Sequence, residues 1–284
     1  MFQCGGCQIL AYTFGNLDAF NMVTEKILLA FKNLDLASSK EHAMHAPELT
    51  FNLWSLLPSL LVLGQFENIQ SWMDLMGLGW NGSSFETIGG FMEMMKGMTP
   101  TVDPNIETLC FKFIVYLADR KGVIDTAEVN DWMSSPAELI EMHKNYLPLR
   151  DMNYMDIPSF AAKVYLKLGR DDDAYEIARL AVEPEEPLGK ITARMRCYSV
   201  LGQVAAKRGN LDEANKHFAK AVEVIKPSNF SLLGVIAARD WKKFCLEPNG
   251  QDSSAADAAI DEGCAKMNKT REQLQSVFDA DTSC

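Results

Sequence analysis

The chain has 284 residues, of which 48% are apolar and 23% are charged, and it carries a net charge of −11. This length allows one large domain or two ordinary ones, and the apolar fraction is sufficient for a sizeable core. The negative charge disfavours nucleic-acid binding, which depends on neutralising phosphates, and favours either basic partners or simple solubility.

The first half of the chain is predicted to form helices joined by glycine turns. Apolar side chains recur at helical spacing over residues 16–34. Two helical hairpins follow, with Gly64 and Gly122 at their turns, because glycine just past a helix end is the usual left-handed cap. A further helix is expected to begin after Pro136 and to end before Pro148.

The second half has a register that repeats. A glycine followed by two alanines occurs twice, 40 residues apart, at Gly169, Ala174 and Ala181 and then at Gly209, Ala214 and Ala221. The glycines are expected at hairpin turns and the alanines where two helices approach most closely. A third unit is predicted to begin at residues 231–244, with an insertion in its turn over 247–255 and a capping helix over 271–278.

Residues 195–227 carry the most specific pattern in the chain. An aromatic residue, Leu-Gly, spaced alanines, a second aromatic residue and a proline occur at Tyr198, Leu201, Gly202, Ala205, Ala214, Phe218 and Pro227. This segment resembles one unit of the tetratricopeptide repeat (TPR) family. Residues 157–187 and 228–278 resemble further, more divergent units of the same family.

The resemblance implies an all-α fold, in the form of a right-handed α-solenoid of stacked antiparallel helical hairpins. Stacking is required because no single hairpin buries its own apolar face, so three or more must pack together. We therefore predict TPR-like repeats with a C-terminal capping helix over residues 151–284. Residues 1–150 are predicted to be a degenerate helical-repeat region or another helical region.

The resemblance also implies a binding face. Members of the family bind peptides or proteins on a concave face that the first helix of each unit lines. On the clearest unit these positions are held by Arg196, Ser199, Gln203, Ala206 and Lys207. The clamp of chaperone-binding members uses lysine and asparagine there, and Ser199 and Gln203 depart from it, so acidic chaperone tails are not the expected partners.

The function that follows is a protein–protein interaction scaffold or adaptor subunit, which binds a protein or peptide partner within a multi-subunit assembly and needs no cofactor. The alternative is an RNA-binding helical-repeat protein, because residues 49–80 resemble one unit of the pentatricopeptide family. The net charge of −11 and the absence of arginine before Arg120 favour the protein-binding interpretation.

Motifs for catalysis and metal binding are weak. The chain has no G-x-S-x-G motif, and the glycines at 77–82 follow a predicted helix rather than the strand that a phosphate loop needs, so we predict no enzymatic activity. Cys4 and Cys7 form a single C-x-x-C pair. A zinc site would have to add His42 and His45 at an unusually tight spacing, so we predict no metal.

Three further features are interpreted as structural. His143 and His217 are expected to be partly buried or at the surface rather than ligands. The acidic run Asp171–Asp173 lacks the further oxygen ligands of a calcium loop and is expected at the start of a helix. The methionine-rich stretch 91–98 is more typical of a core helix than of an adaptable partner surface.

The seven cysteines indicate whether the protein occupies a reducing or an oxidising compartment. They are odd in number and scattered, which is typical of a reducing environment. Because the start of the sequence lacks a basic leader, we predict the cytoplasm, with an organelle interior as the alternative. The longest uncharged run, residues 50–66, falls short of a membrane span and contains Pro58, so it is predicted to be a buried helix.

Overall fold

The computed structural model describes residues 10–33, 56–75, 93, 104–146, 156–184 and 190–279. Throughout these residues the regular structure is helical and there is no strand, so the prediction of an all-α fold is confirmed. The predictions for Cys4, Cys7, His42, His45, the glycines at 77–82 and, apart from Glu93, the methionine-rich stretch lie outside the described residues.

The α-helices with defined bounds are, in chain order, α1 (Leu17–Lys32), α2 (Phe66–Leu75), α3 (Pro104–Ala118), α4 (Thr126–Trp132), α5 (Pro136–Tyr146), α6 (Ile157–Lys167), α7 (Asp171–Val182), α8 (Ile191–Lys207), α9 (Leu211–Ile225), α10 (Ser231–Trp241), α11 (Ser254–Met267) and α12 (Gln275–Asp279). Residues 10–14 and 56–62 are helical as well. Within the described residues, no helix combines the length and the hydropathy that crossing a membrane requires.

Helix α9 illustrates how the sequence specifies these elements. The Asn210 side chain caps its start by accepting a hydrogen bond from the Glu213 backbone N–H, and Asp212 and Glu213 lie in the first turn, where the helix dipole favours negative charge. The side chains that α9 buries recur every three or four residues, at Ala214, Phe218, Ala221, Val222 and Ile225. One apolar face of α9 therefore packs inward while the opposite face meets solvent.

The predicted turn glycines all adopt the left-handed conformation. Gly64, Gly122, Gly169 and Gly209 have φ between +66° and +76°. At Gly209 the N–H donates to the Ala206 carbonyl, and the next N–H, of Asn210, reaches back to the Ala205 carbonyl at 2.9 Å. This pattern closes a helix and requires positive φ, which glycine adopts without steric cost.

The turn of the third unit lies in the stretch where the insertion is predicted. Before it, α10 continues into a π-helix (Lys242–Leu246) and then a 3-10 turn (Glu247–Asn249), which the sequence did not predict. The turn closes at Gly250, whose φ is +61°. A further 3-10 turn (Glu272–Leu274) precedes α12, where the capping helix is predicted.

Helices that follow one another in the second half pack against one another. Contacts join each successive pair from α6 to α11, and the first helices of neighbouring hairpins, α6 with α8 and α8 with α10, also touch. Several of the side-chain hydrogen bonds between hairpins join residues 36 or 38 positions apart, namely Lys207–Asp171, Arg208–Asp172, Asn215–Gln251 and Tyr175–Glu213. Neighbouring hairpins are thus held in a similar register.

The two halves of the chain share one core. A single cluster of buried apolar side chains extends from Ala11 to Val277. Helix α3 contacts α6, and the rings of Trp72 and Phe111 meet edge to face with centroids 5.4 Å apart. The division of the chain at residue 150 stays a prediction.

Candidate functional site

The five predicted partner-binding residues lie on α8, but they differ in accessibility. Arg196, Ser199 and Gln203 are buried, with 8%, 3% and 8% of their surfaces exposed. Ala206 is partly buried and Lys207 is exposed. The predicted face is therefore open to solvent at the C-terminal end of α8 and covered towards its N-terminal end.

The covered end contains a buried group of charges. The Arg196 Nε–H donates to Ser159 Oγ at 3.0 Å, and the guanidinium lies over the ring of Phe160, 5.0 Å from its centroid. Arg196 Nη2 is 3.9 Å from Asp156 Oδ2, and His143 Nε2 is 3.9 Å from Asp156 Oδ1. Because a buried charge is costly unless it is paired, Asp156 and Arg196 stabilise each other only as a pair.

Sequence reasoning missed the neighbours of Arg196, although a signal for them existed. Asp156 and Ser159 precede Arg196 and Ser199 by 40 residues, the same interval that separates the turn glycines Gly169 and Gly209. Applying that register to α6 would have placed both side chains on the predicted face. His143, which was expected to be partly buried or at the surface, is completely buried.

A segment near the start of the sequence comes within electrostatic reach of this face, and no local signal predicts that approach. Tyr12 forms a hydrogen bond with Ser59, and its ring packs edge to face on Phe230, with centroids 6.1 Å apart. Burial raises the pKa of the Tyr12 hydroxyl, and the Ser59 hydrogen bond and the charge of Arg196 partly offset the rise. Tyr12 therefore lies within electrostatic reach of the predicted partner-binding arginine.

The thiol beside this site is not suited to nucleophilic chemistry. Burial is the main cause that raises the pKa of Cys197 well above its usual range, and the charge of Asp156 adds to the rise. A reactive cysteine needs a thiolate and access to solvent, and Cys197 is 1% exposed. Cys110, Cys245 and Cys264 are likewise buried.

A second polar group lies between α7, α8 and α9. The Tyr175 hydroxyl donates to Glu213 Oε1 at 2.7 Å, and His217 Nε2 is 3.5 Å from the same oxygen. The His217 ring stacks with Tyr198 at 6.4 Å between centroids and meets Tyr175 edge to face. The hydrogen bond from Tyr175 is the main cause that lowers the pKa of Glu213, so the carboxylate stays ionised between its partners.

A third candidate is a cavity of about 320 Å³ at the C-terminal end of the helical array. Four cationic side chains line it, from Arg239, Lys242, Lys243 and Arg271. Most of this charge has carboxylate partners: Arg239 pairs with Asp240, Arg271 with Asp257 and Asp261, and Lys242 with Asp257 and Glu247. The charges of the lining side chains and their carboxylate partners therefore nearly cancel, and the cavity does not favour an anionic ligand.

The acidic run at the start of α7 ties neighbouring hairpins together. Asp171 accepts from Lys207 and Asp172 from Arg208 of the next hairpin, whereas Asp173 accepts from Arg170 within its own hairpin. Among the described residues, no three His, Cys, Asp or Glu side chains are grouped so that they could hold a metal ion.

Comparison with known proteins gives no relative: no family model, no curated protein and no solved structure matches the chain. The likeness to TPR units accordingly rests on the residues of the chain itself and remains a prediction.

Proposed function

We propose that this chain is a non-catalytic scaffold whose TPR-like hairpins stack as a right-handed α-solenoid and bind a protein or peptide partner within a larger assembly. The observation that supports this proposal is the repeated register from α6 to α11. Glycines with positive φ occur at Gly169, Gly209 and Gly250, and polar side chains join hairpins at intervals of 36 to 38 residues.

A repeated register matters for function because each repeat contacts mainly its neighbours. Stacked repeats form an elongated surface on which the first helices lie side by side, and proteins of this architecture use such surfaces for binding. Here the first helices α6, α8 and α10 contact one another in order. The open part of the proposed binding face is the end of α8 that carries Ala206 and Lys207.

The test compares two charge reversals in the tagged full chain. Lys207→Glu changes the proposed face, and Lys220→Glu changes the outward side of α9. The two lysines are matched, since their side chains are 50% and 47% exposed and each forms an ion pair with one carboxylate, of Asp171 and Glu223 respectively. Both substitutions are at the surface and should leave the fold intact.

Affinity purification from the native source, followed by mass spectrometry, is expected to recover a stoichiometric set of proteins with the unaltered chain and with Lys220→Glu. The same set should be depleted several-fold with Lys207→Glu. Equal recovery with both variants would place the partner on another surface. Sequencing of RNA in the same eluate tests the pentatricopeptide-like alternative, which would show enriched transcripts whose recovery falls as salt rises. Substrate turnover by the purified chain would contradict a non-catalytic role.

A further inference from the structure

The cavity at the C-terminal end of the helical array combines apolar surface with positive charge. Its volume of about 320 Å³ is at the lower end of the range for ligand pockets, which suits one ring system rather than a whole cofactor. The buried side chain of Ile260 and the half-buried ring of Phe278 provide the apolar surface. Four of the side chains that line the cavity are cationic.

The two arginines among these cations already use the edges of their guanidinium groups. In Arg271, Nε–H donates to Asp261 Oδ1 at 2.7 Å, Nη1–H to Asp257 Oδ1 at 2.8 Å, and Nη2–H to the Asp257 carbonyl at 3.1 Å. In Arg239, all three nitrogens likewise donate, to Asp240 and to a backbone carbonyl of α12. Because a guanidinium forms its hydrogen bonds in its own plane, these groups offer a ligand mainly their faces.

Two other arginines show how this chain uses the face of a guanidinium. Arg170 and Arg208 each donate to a carboxylate, and each also lies over a tyrosine ring, 4.7 and 4.9 Å from its centroid. Arg271 has carboxylate partners as well, but within the described part of the chain no aromatic ring lies over its guanidinium. An aromatic ring is therefore the component that a ligand would add to this site.

We propose that the cavity binds an aromatic side chain of a protein partner, whose ring lies over the guanidinium of Arg271 and packs against Ile260 and Phe278. The cavity shares no residue with the proposed binding face on α8. It is therefore a second site of contact, and the inference goes beyond the proposed function.

The charges around the cavity favour an aromatic ring over an anion or an aliphatic group. Carboxylate partners offset most of the positive charge, so an anion would gain little and would compete with existing hydrogen bonds. An aliphatic group would remove water from the cations and replace none of its interactions, which costs free energy. The face of an aromatic ring is negative and attracts a cation without carrying a net charge.

Nuclear magnetic resonance of the full chain, labelled at its isoleucine methyl groups, tests the proposal. The probe is N-acetyl-tryptophan amide, an uncharged indole, and N-acetyl-leucine amide is the aliphatic comparison. The indole probe is expected to shift the Ile260 methyl signal to saturation and to bind about tenfold more tightly than the leucine probe, a preference that one or two cation–π contacts supply. Ile177, which is buried away from the cavity lining, should keep its signal.

Several results of the same titration would overturn the proposal. Equal affinity for the two probes, or no saturable shift at Ile260, would mean that the cavity does not recognise an aromatic ring. Tighter binding of inorganic phosphate than of the indole probe would make the cavity an anion site. Tighter binding of indole itself would assign the cavity to a free aromatic molecule rather than to a side chain. No partner protein is involved, so the outcome is independent of the affinity purification.

Cross-relaxation and one pair of variants locate the bound ring. Protons of the indole are expected to show nuclear Overhauser contacts with the Arg271 side chain, and contacts with other residues alone would contradict the proposed stacking. Phe278→Leu should weaken binding of the indole probe several-fold, whereas Phe230→Leu, the same change at a half-buried ring outside this cavity, should not. If Phe278→Leu did not fold, the comparison of the probes on the unaltered chain would decide the question.

Discussion

At the scale of single residues, one close approach between helices in the described repeats depends on Gly202. A Cβ at this position would lie 2.6 Å from Cδ2 of Phe218, and the Phe218 ring is completely buried. Gly202→Ala would improve helix propensity by about 1 kcal/mol, but forcing a methyl group against a fixed ring costs about 1–3 kcal/mol. We therefore expect a net loss of about 1 kcal/mol in the free energy of unfolding, measured by urea denaturation.

Gly234→Ala is the matched control for this prediction. Gly234 is also within a helix, α10, but a Cβ there would lie 3.4 Å from Ile225 Cγ2, at the limit of ordinary van der Waals contact. It is expected to leave stability unchanged within about 0.5 kcal/mol or to raise it slightly. If the Gly202→Ala chain were as stable as the Gly234→Ala chain, the Phe218 ring would have to move aside and make room for the methyl group.

We predict that the free energy of unfolding depends on pH through His217. Burial is the main cause that lowers the pKa of His217 below its ordinary value of 6.5, although Glu213 acts in the opposite direction. The folded chain then binds fewer protons than the unfolded chain near this pH. The stability that neutral His217 contributes is therefore fully present above about pH 6.5, its pKa in the unfolded chain. This stability is lost as the pH falls from there towards the lower pKa of the folded chain.

His217→Gln is the variant that isolates this effect, because it keeps a polar side chain that does not titrate. Between about pH 7.5 and pH 5, the free energy of unfolding should fall more steeply for the unaltered chain than for His217→Gln, as measured by denaturation at each pH. Parallel curves for the two chains would assign the pH dependence to other groups.

At the scale of the elements, the sequence predicts those features that local geometry imposes. The turns at Gly169 and Gly209 were predictable because glycine is the preferred residue where a helix ends in the left-handed conformation. The π-helix after Trp241 was not predictable. It is associated with contacts to the preceding hairpin, where Trp241 Nε1–H donates to Asn215 Oδ1 and Cys245 packs in a small cluster with Phe218. Such contacts leave no periodic pattern in the segment that forms the π-helix.

Asn215 is therefore expected to hold two hairpins together. Its Oδ1 accepts from Trp241 Nε1–H at 2.8 Å, and its Nδ2–H donates to Gln251 Oε1 at 3.0 Å. Asn215→Ala would leave both partly buried partners without these hydrogen bonds, so we expect a loss of about 1–2 kcal/mol in stability by urea denaturation.

Lys207→Ala provides the comparison for Asn215→Ala, because it also removes a contact that spans 36 residues between neighbouring hairpins. The Lys207–Asp171 pair is exposed to solvent, so its loss should cost less than about 0.5 kcal/mol. Equal costs for the two substitutions would mean that burial does not determine which contacts stabilise the register.

At the scale of the whole molecule, the sequence predicted that Arg196, Ser199 and Gln203 lie on one helix but not that they are buried. The positions of Arg196, Ser199 and Gln203 on the first helix of a hairpin follow from the repeat register. Their burial does not, because it is decided by tertiary packing. Tyr12, for example, contacts Phe230 and lies within electrostatic reach of Arg196, although more than 180 residues separate it from either. A contact at that separation depends on the packing of both halves around one core, and no local pattern records it.

The Asp156–Arg196 pair lies where these parts of the molecule meet, so it allows a prediction about their coupling. Asp156 holds the N-cap position of α6, Arg196 is on α8, His143 approaches from α5, and Tyr12 lies within electrostatic reach of Arg196. Asp156→Ala would leave the buried guanidinium without a carboxylate, which is expected to cost about 3 kcal/mol in the free energy of unfolding.

The double variant Asp156→Ala/Arg196→Leu is expected to recover at least half of that loss, because it removes both charges and leaves an apolar side chain of smaller size over the Phe160 ring. Urea denaturation of the unaltered chain, the two single variants and the double variant completes the thermodynamic cycle. A double variant no more stable than Asp156→Ala would mean that Arg196 contributes through its hydrogen bond to Ser159 and its stacking on Phe160 rather than through Asp156. In that case the arginine would be held in place without the carboxylate, and the face that carries it would keep its positive charge.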